Sequence, residues 1–401
     1  MPVIPASVER RARWVLDSIG AFELGFGDDV PYDEEAWEQL EHGERPRDPI
    51  AAGFYHLSRA EERGGRRDRH GRFPGSESCL DPLDPPLEKL RESLGIEPPR
   101  WQGARFAIAL THDVDVPWRW TRLGVLGTAA RLKRHVRRGQ GLNAFRTARS
   151  LASVPMHKIR GTDPNWRFER ILRVERARGL RSTFFLMAGH AHPADGATPS
   201  AYERLRPRLV ETLLAGQAEI GLHGSYLAAE DVSRLESERA LLEEIAGTVH
   251  GQRYHYLRGD PVGNFSDIAD LGFAYDTSLG FADTPGFRAG IAQPFRPWNW
   301  ASERPFDFVE IPLALMDVTL SEERYLGLSP AGAQKLIDRI VDRAARTGGG
   351  FSVLWHTDRF DPVSARGWDR LYFNLVARVR ERGGVCLSAG ELAAEAAAWQ
   401  R

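Results

Sequence analysis

Residues 105–115 read RFAIALTHDVD, and this stretch decides the fold. Its first part, Arg105–Leu110, is a short apolar run that leads directly into polar residues, a pattern that predicts a buried strand. The same pattern recurs along the rest of the chain, at Ser182–Met187, Glu219–Leu222, Tyr254–Leu257, Phe273–Asp276, Phe308–Leu313, Phe351–Trp355 and Val385–Leu387. The chain from residue 105 onward therefore contains a series of short buried strands.

Helical patterns lie between these strands, at Trp166–Arg178, Pro207–Ala215, Ala229–Thr248, Phe265–Asp270, Pro330–Arg346 and Trp368–Arg382. Ser329 followed by Pro330 is a typical helix start, with Ser as the cap and Pro in the first turn. Alternation of strands and helices predicts an α/β fold with a parallel sheet and outer helices. Seven or eight strands over roughly 290 residues fit a barrel related to the TIM barrel, and an open doubly wound sheet is the alternative.

Composition excludes several classes of protein. The chain has 401 residues, with 54 Lys and Arg against 55 Asp and Glu, so a strongly basic nucleic-acid binder is excluded. The two cysteines, Cys79 and Cys386, exclude a disulfide framework and a thiolate zinc site. We find neither a secretory leader nor a membrane span of about 18 apolar residues, so we expect a cytoplasmic protein without a membrane partner. The basic cluster Lys133–Arg138 is expected to be a solvated helix face, with a phosphate or acidic-substrate contact as the alternative.

Residues 1–100 differ from the rest of the chain. Glu9–Ile19 has a helical pattern, but the segments after it are rich in charge, Gly and Pro. The segment also contains several aromatic residues, which suggests that it packs on another part of the protein. We therefore expect an N-terminal extension, 1–100, docked on a main domain, 101–401, with the boundary near Pro98 and Pro99.

Polar residues gather just after the predicted strands, and in a parallel barrel this edge carries the active site. Asp113 and Asp115 crowd two negative charges together, and a cation beside them would relieve the repulsion; a capping Asp is the alternative. His112 stands beside them, and His223 follows another strand. Carboxylate and neutral imidazole together suit zinc and other first-row divalent metals. His255 is either a further ligand or a core histidine.

Three more groups follow later strands. Arg258 is a charge partner of the carboxylates, a substrate clamp or a bridge between surface loops. His356 is a general acid or a structural histidine. His190 and His192 belong to a loop and either line the cleft or are simply solvated. No GxSxG elbow, HExxH helix, P-loop or GxGxxG fingerprint is present, so serine hydrolysis and nucleotide binding receive no support.

Taken in order, these motifs resemble the polysaccharide deacetylase family of metal-dependent carbohydrate esterases, in its branch with a THDVD signature and an N-terminal extension. The resemblance runs over residues 105–395 and also includes FYHLSRAEE and DRHGRFP in the extension. It implies a distorted (β/α)7 barrel that removes acetyl groups from N-acetylated sugars. It implies a base at Asp113, a metal ligand at Asp115, a second ligand at His223, and a general acid at His356. It also implies that Arg258 pairs with Asp113.

The chain departs from the family pattern in its second motif. His-[Ser/Thr]-x-x-His becomes His223-Gly-Ser-Tyr-Leu227, so the second histidine is absent. Catalytic zinc usually has three protein ligands, so another residue must fill the gap, or metal binding is weak, or activity is lost. His112 and His255 are the first candidates, ahead of His190 and His192. The expected cofactor is one divalent metal, Zn²⁺ first, with Co²⁺ or Ni²⁺ as alternatives.

The resulting expectation is a metal-dependent amide hydrolase acting on an acetylated sugar or glycan precursor, as a small molecule or an oligosaccharide. Two alternatives remain: an inactive sugar-binding relative, which Leu227 favours, and a hydrolase of a non-sugar C–N bond. Tyr226 is an expected substrate contact. Aromatic residues of the later loops, including Trp298, are either a sugar platform or a cover over the barrel. The oligomeric state is left open.

Overall fold

The computed structural model describes residues 4–196 and 199–400, which form one large parallel sheet surrounded by helices. The strands are β1 Ala107–Val114, β2 Thr183–Leu186, β3 Glu219–Gly224, β4 Gly251–Tyr254, β5 Tyr275–Asp276, β6 Trp298–Asn299, β7 Arg304–Pro305, β8 Val309–Glu310, β9 Leu313–Met316, β10 Gly350–Leu354 and β11 Val385–Leu387. The helices are α1 Ala6–Ser18, α2 Glu34–Glu41, α3 Pro49–Leu57, α4 Pro86–Ser93, α5 Arg122–Arg137, α6 Gly141–Ala152, α7 Val154–Arg160, α8 Phe168–Arg176, α9 Pro199–Ala215, α10 Val232–Ala246, α11 Phe265–Asp270, α12 Asp317–Ser321, α13 Pro330–Thr347, α14 Trp368–Glu381 and α15 Ala389–Trp399.

The large sheet closes on itself through one extended segment. Its strand order is β8-β5-β4-β3-β2-β1-β10-β9, and β11 pairs with the first half of β1. Only Ile311 and Pro312 separate β8 from β9, yet β8 pairs with β5 at one end of this order and β9 with β10 at the other. Because β8 and β9 together occupy one strand position, the strand order of the described sheet corresponds to seven strand positions around a barrel. The predicted α/β fold, a distorted (β/α)7 barrel, is confirmed.

Burial and capping explain why the main elements form where they do. All eight residues of β1 are buried, as expected for a central parallel strand that is covered on both faces. Helix α13 begins as the sequence predicts, because the Ser329 side chain accepts a hydrogen bond from the Gly332 backbone N–H and Pro330 occupies the first turn. The carboxyl ends of the parallel strands consequently meet at one rim of the barrel.

The N-terminal helices pack directly on the barrel. Trp14 of α1 lies 5.0 Å from Trp298 between ring centroids, and its indole N–H donates to the Arg296 carbonyl at 2.9 Å. The buried Glu62 carboxylate pairs with Arg288 at 2.6 Å. Residues of both parts share one hydrophobic core. The division at residue 100 remains a proposal.

Two features differ from the sequence predictions. The strand predicted at Tyr254–Leu257 lies earlier, as β4, because Tyr256 and Leu257 have positive φ angles of 61° and 55° and turn the chain out of the sheet. Helices α6 and α7 were not predicted, and of α5 only the solvated basic face at Lys133–Arg138 was expected. Within residues 4–196 and 199–400, every helix is too short or too polar to cross a membrane, and the cytoplasmic location remains a prediction.

Candidate active site

The two carboxylates of the THDVD stretch lie at the carboxyl end of β1, but its histidine does not join them. Successive side chains of a strand point to opposite faces. Asp113 therefore faces the rim, whereas His112 points the other way, where its ring nitrogens contact the Trp355 carbonyl at 2.7 Å and the Glu175 carboxylate at 3.2 Å. The expectation that His112 is a metal ligand is wrong on this geometry.

Three side chains converge at the rim: Asp115, His223 from the end of β3, and His255 just after β4. Their possible ligand atoms all lie within 4.8 Å of one another. The Nε2 atom of His223 is 3.4 Å from Oδ1 of Asp115, and that of His255 is 3.9 Å from Oδ2. His255 thus stands where a third ligand is needed, while Leu227 supplies none.

Hydrogen bonds fix both imidazole rings in this orientation. Nδ1 of His223 donates to the Arg253 carbonyl at 2.9 Å, so in the neutral ring Nε2 carries a free lone pair. Nδ1 of His255 is 2.9 Å from the Asp195 carboxylate, which is itself buried and accepts from the Tyr226 backbone N–H at 2.7 Å. Carboxylates and carbonyls behind metal-bound histidines typically hold the rings in this way.

The polar atoms at the centre of this group have no hydrogen-bond partner. Nε2 of His223 and Oδ1 of Asp115 are both buried and unpaired. A buried polar atom without a partner costs about 1–3 kcal/mol, so such atoms call for an explanation. Two imidazoles and a carboxylate are a donor set that suits Zn²⁺ and similar ions. The residues therefore fit a divalent metal ion.

The charges around Asp115, His223 and His255 also favour a bound cation. Burial opposes ionisation of Asp115, but the imidazole of His223, 3.4 Å away, and the charges of His255 and His356 hold the pKa of its carboxyl well below the usual range. Burial lowers the pKa of His223, and the charges of Asp113 and Asp115 outweigh it and raise that pKa overall. The negative charges thus create a strong preference for a cation at this point.

His356 follows β10 and faces the same carboxylates. Its Nδ1 is 2.7 Å from Oδ1 of Asp317, and its Nε2 is 3.6 Å from Oδ2 of Asp115. Burial lowers its pKa, but the charge and hydrogen bond of Asp317, with the two carboxylates of the rim, raise it to about 10. His356 therefore carries a proton near neutral pH.

The arginine that pairs with Asp113 is Arg253, not Arg258. Arg253 lies on β4, fully buried, and its Nη1 donates to Oδ1 of Asp113 at 2.7 Å. Arg258 instead donates to the His70 carbonyl at 2.9 Å, to the Tyr226 carbonyl, and to the Glu230 carboxylate. The predicted pairing of Arg258 is wrong because β4 ends before His255, which places Arg253 rather than Arg258 in the sheet.

The two expected substrate contacts have different surroundings. Tyr226 is partly exposed beside the rim, where its hydroxyl is 3.1 Å from Nδ1 of His70 and its ring stacks on His192 at 4.3 Å. Trp298 is 1% exposed and packs against Trp14 and Phe54 of the N-terminal helices. Trp298 is therefore a cover over the barrel, and the expectation of a substrate contact is wrong for it.

The N-terminal segment reaches the cleft through Arg72. Its guanidinium donates to Asp68, to the Tyr256 carbonyl at 3.1 Å and to the Tyr325 hydroxyl at 3.2 Å. Arg72, Tyr256 and Tyr325 line the same cleft as Asp113, Asp115, His255 and His356. The sequence analysis missed Arg72 together with Arg253, Asp195 and Asp317. For Arg72, the DRHGRFP motif was the available signal.

A second group of possible ligands lies in the N-terminal segment. His56, Glu61 and Cys79 bring their ligand atoms within 4.8 Å of one another. Glu61 is already bonded there to Arg59, Ser78 and Cys79, and both ring nitrogens of His56 are buried without partners. Metal-binding measurements on this protein therefore need a control at Cys79.

Comparison with known proteins gives limited information. A family of unknown function, DUF7033, matches residues 6–81. No curated protein matches the chain. Among solved structures, the chain is similar to Puue allantoinase (TM-score 0.48, 16% identity, 76% of this chain and 95% of that one). It is also similar to a polysaccharide deacetylase from Bacillus cereus (0.31, 13%, 70% and 89%) and a peptidoglycan deacetylase from Bacillus subtilis (0.31, 13%, 73% and 92%). The assignment of the fold rests on the strand order above.

Proposed function

We propose that this protein is a metal-dependent hydrolase that removes an acetyl group from an N-acetylated sugar or glycan precursor. The observation that carries the proposal is the convergence of Asp115, His223 and His255, with unpaired buried atoms at its centre, beside Asp113 and His356. The likeness of the THDVD stretch to polysaccharide deacetylases supplies the substrate class.

Asp115, His223 and His255 are the residues that would hold the metal. A divalent ion bound there would supply Lewis-acid stabilisation for the negative charge that develops on the acetyl oxygen. Zn²⁺ is the first choice for this donor set, with Co²⁺ or Ni²⁺ as alternatives. His255 makes the third ligand that the second motif lacks at Leu227.

The other residues of the cleft transfer protons or position the residues that do so. Arg253 binds Oδ1 of Asp113, which leaves Oδ2, 3.4 Å from Nε2 of His223, to accept the proton of the attacking water. His356, held in its charged form by Asp317, then donates a proton to the nitrogen of the leaving amine. Arg253 thus takes the positioning role that the sequence analysis gave to Arg258.

One alternative has an observation in its favour. Leu227 in place of a ligand histidine favours an inactive relative that still binds sugars. The position of His255 opposes this alternative, because it restores three protein ligands from a different strand. A hydrolase of a non-sugar C–N bond differs from the main proposal only in substrate.

The test is acetate release from a panel of N-acetylated sugars, with non-sugar amides included, after loading with Zn²⁺, Co²⁺ or Ni²⁺. We expect release from at least one acetylated sugar and a loss of about 10²–10⁴-fold in Asp113→Asn, with metal content unchanged. Asp338→Asn, at a partly exposed position of α13 that is not among the residues lining the cleft, is the matched control and should retain full activity. Sugar binding without turnover would favour the inactive relative, and turnover of amides alone would favour the non-sugar hydrolase.

A further inference from the structure

The segment between Asp115 and Asp163 has an extreme charge composition. Its 47 residues contain 11 Lys and Arg and no Asp or Glu, in a chain whose formal net charge is -1. Helices α5, α6 and α7 lie within this segment. A basic amphipathic helix is typical of proteins that bind a membrane surface or an amphipathic partner.

Each of the three helices also exposes a pair of apolar side chains. The pairs are Leu123 and Leu126 on α5, Leu142 and Phe145 on α6, and Met156 and Ile159 on α7, with exposures between 49% and 87%. Residues three apart in a helix lie on the same face, so each pair forms a small apolar patch. Half of the large apolar residues exposed in the described chain belong to this segment.

The protein itself does not use these apolar faces. Thr128 and Ser150 are the buried residues of the three helices, and no side chain from 122–160 joins the hydrophobic core of the described chain. Helices α5 and α6 pack against each other. These helices therefore combine many cations with apolar side chains that the described chain leaves exposed, a combination typical of helices that lie on a membrane surface.

The segment lies beside the mouth of the cleft. Pro117 and Trp118, just before α5, line a small pocket together with Asp115. Between α5 and α6, the Gln140 side chain donates to the Glu323 carboxylate at 2.8 Å, and the neighbouring Arg324 lines the cleft. Whatever binds α5–α7 is therefore close to the candidate active site.

We propose that α5–α7 dock on an anionic lipid surface, with the cations at the headgroups and the apolar pairs at the acyl boundary. Charge complementarity favours this partner, because the segment contains 11 cations and no acidic residue, and anionic headgroups attract such a segment. The apolar pairs favour lipid over nucleic acid, since phosphate backbones are contacted by charged and polar side chains. No membrane partner was expected from the sequence because it contains no spanning segment, but a helix that lies on the membrane surface does not need one.

The first test is vesicle flotation of the full chain with phosphatidylcholine vesicles that contain 30% phosphatidylglycerol, against vesicles of pure phosphatidylcholine. We expect binding to the anionic vesicles and a loss of about tenfold or more in the double variant Leu142→Ser, Phe145→Ser, because both side chains would leave the acyl boundary. The matched control is Leu241→Ser, Ile245→Ser, an exposed pair on α10, which should bind as the unchanged chain does.

The second test removes charge. The variant Lys133→Gln, Arg134→Gln, Arg137→Gln, Arg138→Gln alters four exposed side chains, so it should keep the thermal midpoint of the unchanged chain. We expect binding to weaken by about fivefold for each cation that lies near the headgroups, and to weaken further as salt rises. Equal binding to neutral and anionic vesicles would overturn the proposal.

Two further outcomes would also overturn it. One is the absence of vesicle binding by the unchanged chain. The other is tight binding of a single-stranded oligonucleotide that survives the change of Leu142 and Phe145, which would assign the basic surface to nucleic acid instead. These measurements do not need the proposed hydrolase activity. One further expectation rests on the proposed function: an acetylated sugar carried on vesicles should be a better substrate than a soluble one. If the protein has no such activity, this expectation fails, but the proposed docking on lipid does not.

Discussion

The buried carboxylate of Glu62 offers the sharpest test of how the N-terminal segment is attached to the barrel. Glu62 accepts hydrogen bonds from Arg288 at 2.6 and 2.8 Å, from Arg59 at 2.8 Å and from Arg67 at 3.2 Å, and its side chain is fully buried. We consider Glu62→Gln, which keeps the shape of the side chain and removes its charge. Arg288 would then lie buried without a carboxylate partner.

Two estimates of the free energy of unfolding lost in Glu62→Gln agree. Burial opposes ionisation of Glu62, but the charges of Arg288 and Arg59 outweigh it and lower its pKa from 4.5 to about 2. A difference of that size corresponds to about 3 kcal/mol of folding free energy. Removing one partner of a buried ion pair typically costs about 3–5 kcal/mol. With an unfolding entropy of about 0.8 kcal/mol/K for a chain of this length, the expected loss is about 4 °C in the thermal midpoint.

The assay is equilibrium unfolding in guanidinium chloride, with thermal unfolding beside it. Glu77→Gln is the matched control, because Glu77 belongs to the same segment but is 40% exposed and lies 3.9 Å from an Arg66 that is 86% exposed. That change should alter the free energy of unfolding by no more than about 0.5 kcal/mol. If the two variants unfold at the same midpoint, the ion pair with Arg288 contributes no net stability and the reasoning is refuted.

Three further predictions follow, one from the same Glu62 carboxylate and two from contacts of the candidate active site. Because the pKa of Glu62 is depressed, its contribution is present above about pH 4.5 and is lost as pH falls to about 2; the difference in unfolding free energy between the unchanged chain and Glu62→Gln should shrink over this range, and a constant difference would contradict the assignment. Asp195→Asn should weaken zinc binding about 10–100-fold in a titration, since Asp195 orients His255; unchanged affinity would remove Asp195 from this role. Arg253→Met leaves Asp113 buried without its partner and should cost about 3–5 kcal/mol in guanidinium unfolding, whereas Arg258→Met should cost less because its partner Glu230 is exposed; equal costs would contradict the pairing.

The barrel could be predicted from sequence because its signals are local. Most of the short apolar runs bounded by polar residues form a strand or part of one, the exception being Tyr254–Leu257, of which only Tyr254 belongs to β4; Ser329-Pro330 starts α13 as expected. Helices α6 and α7, and α5 apart from its basic end at Lys133–Arg138, were missed because they lie outside the strand–helix alternation and bury no apolar face. Closure of the sheet through Ile311 and Pro312 depends on pairings between distant segments, which no local pattern contains.

The site could be predicted only in part, and the errors have identifiable causes. Asp113, Asp115 and His223 lie together because β1 and β3, the two strands on either side of β2, end at the same rim of the parallel sheet, and that reasoning needs strand positions only. The choice between His112 and His255 depended on which face of β1 carries the carboxylates. The choice of Arg258 over Arg253 failed because β4 lies three residues earlier than its apolar run suggests.

Most of the supporting contacts were beyond sequence reasoning. Asp195 and Asp317 hold the imidazoles of His255 and His356 from segments far away in the chain. Arg72 reaches the cleft from the N-terminal segment. The two aspartate contacts depend on tertiary packing, so the sequence gives no spacing from which to infer them, whereas for Arg72 the DRHGRFP motif was an available signal.

The most direct test of the central claim is zinc binding by His255→Ala, measured in a Cys79→Ser background so that the second group of possible ligands is impaired. The Cys79→Ser chain should bind one equivalent of zinc at Asp115, His223 and His255. His255→Ala should weaken this binding by at least about 100-fold, more than the loss of a residue that only orients a ligand, while His112→Gln should bind as before because His112 faces away from the site. Zinc affinity that is unchanged in His255→Ala would contradict the account.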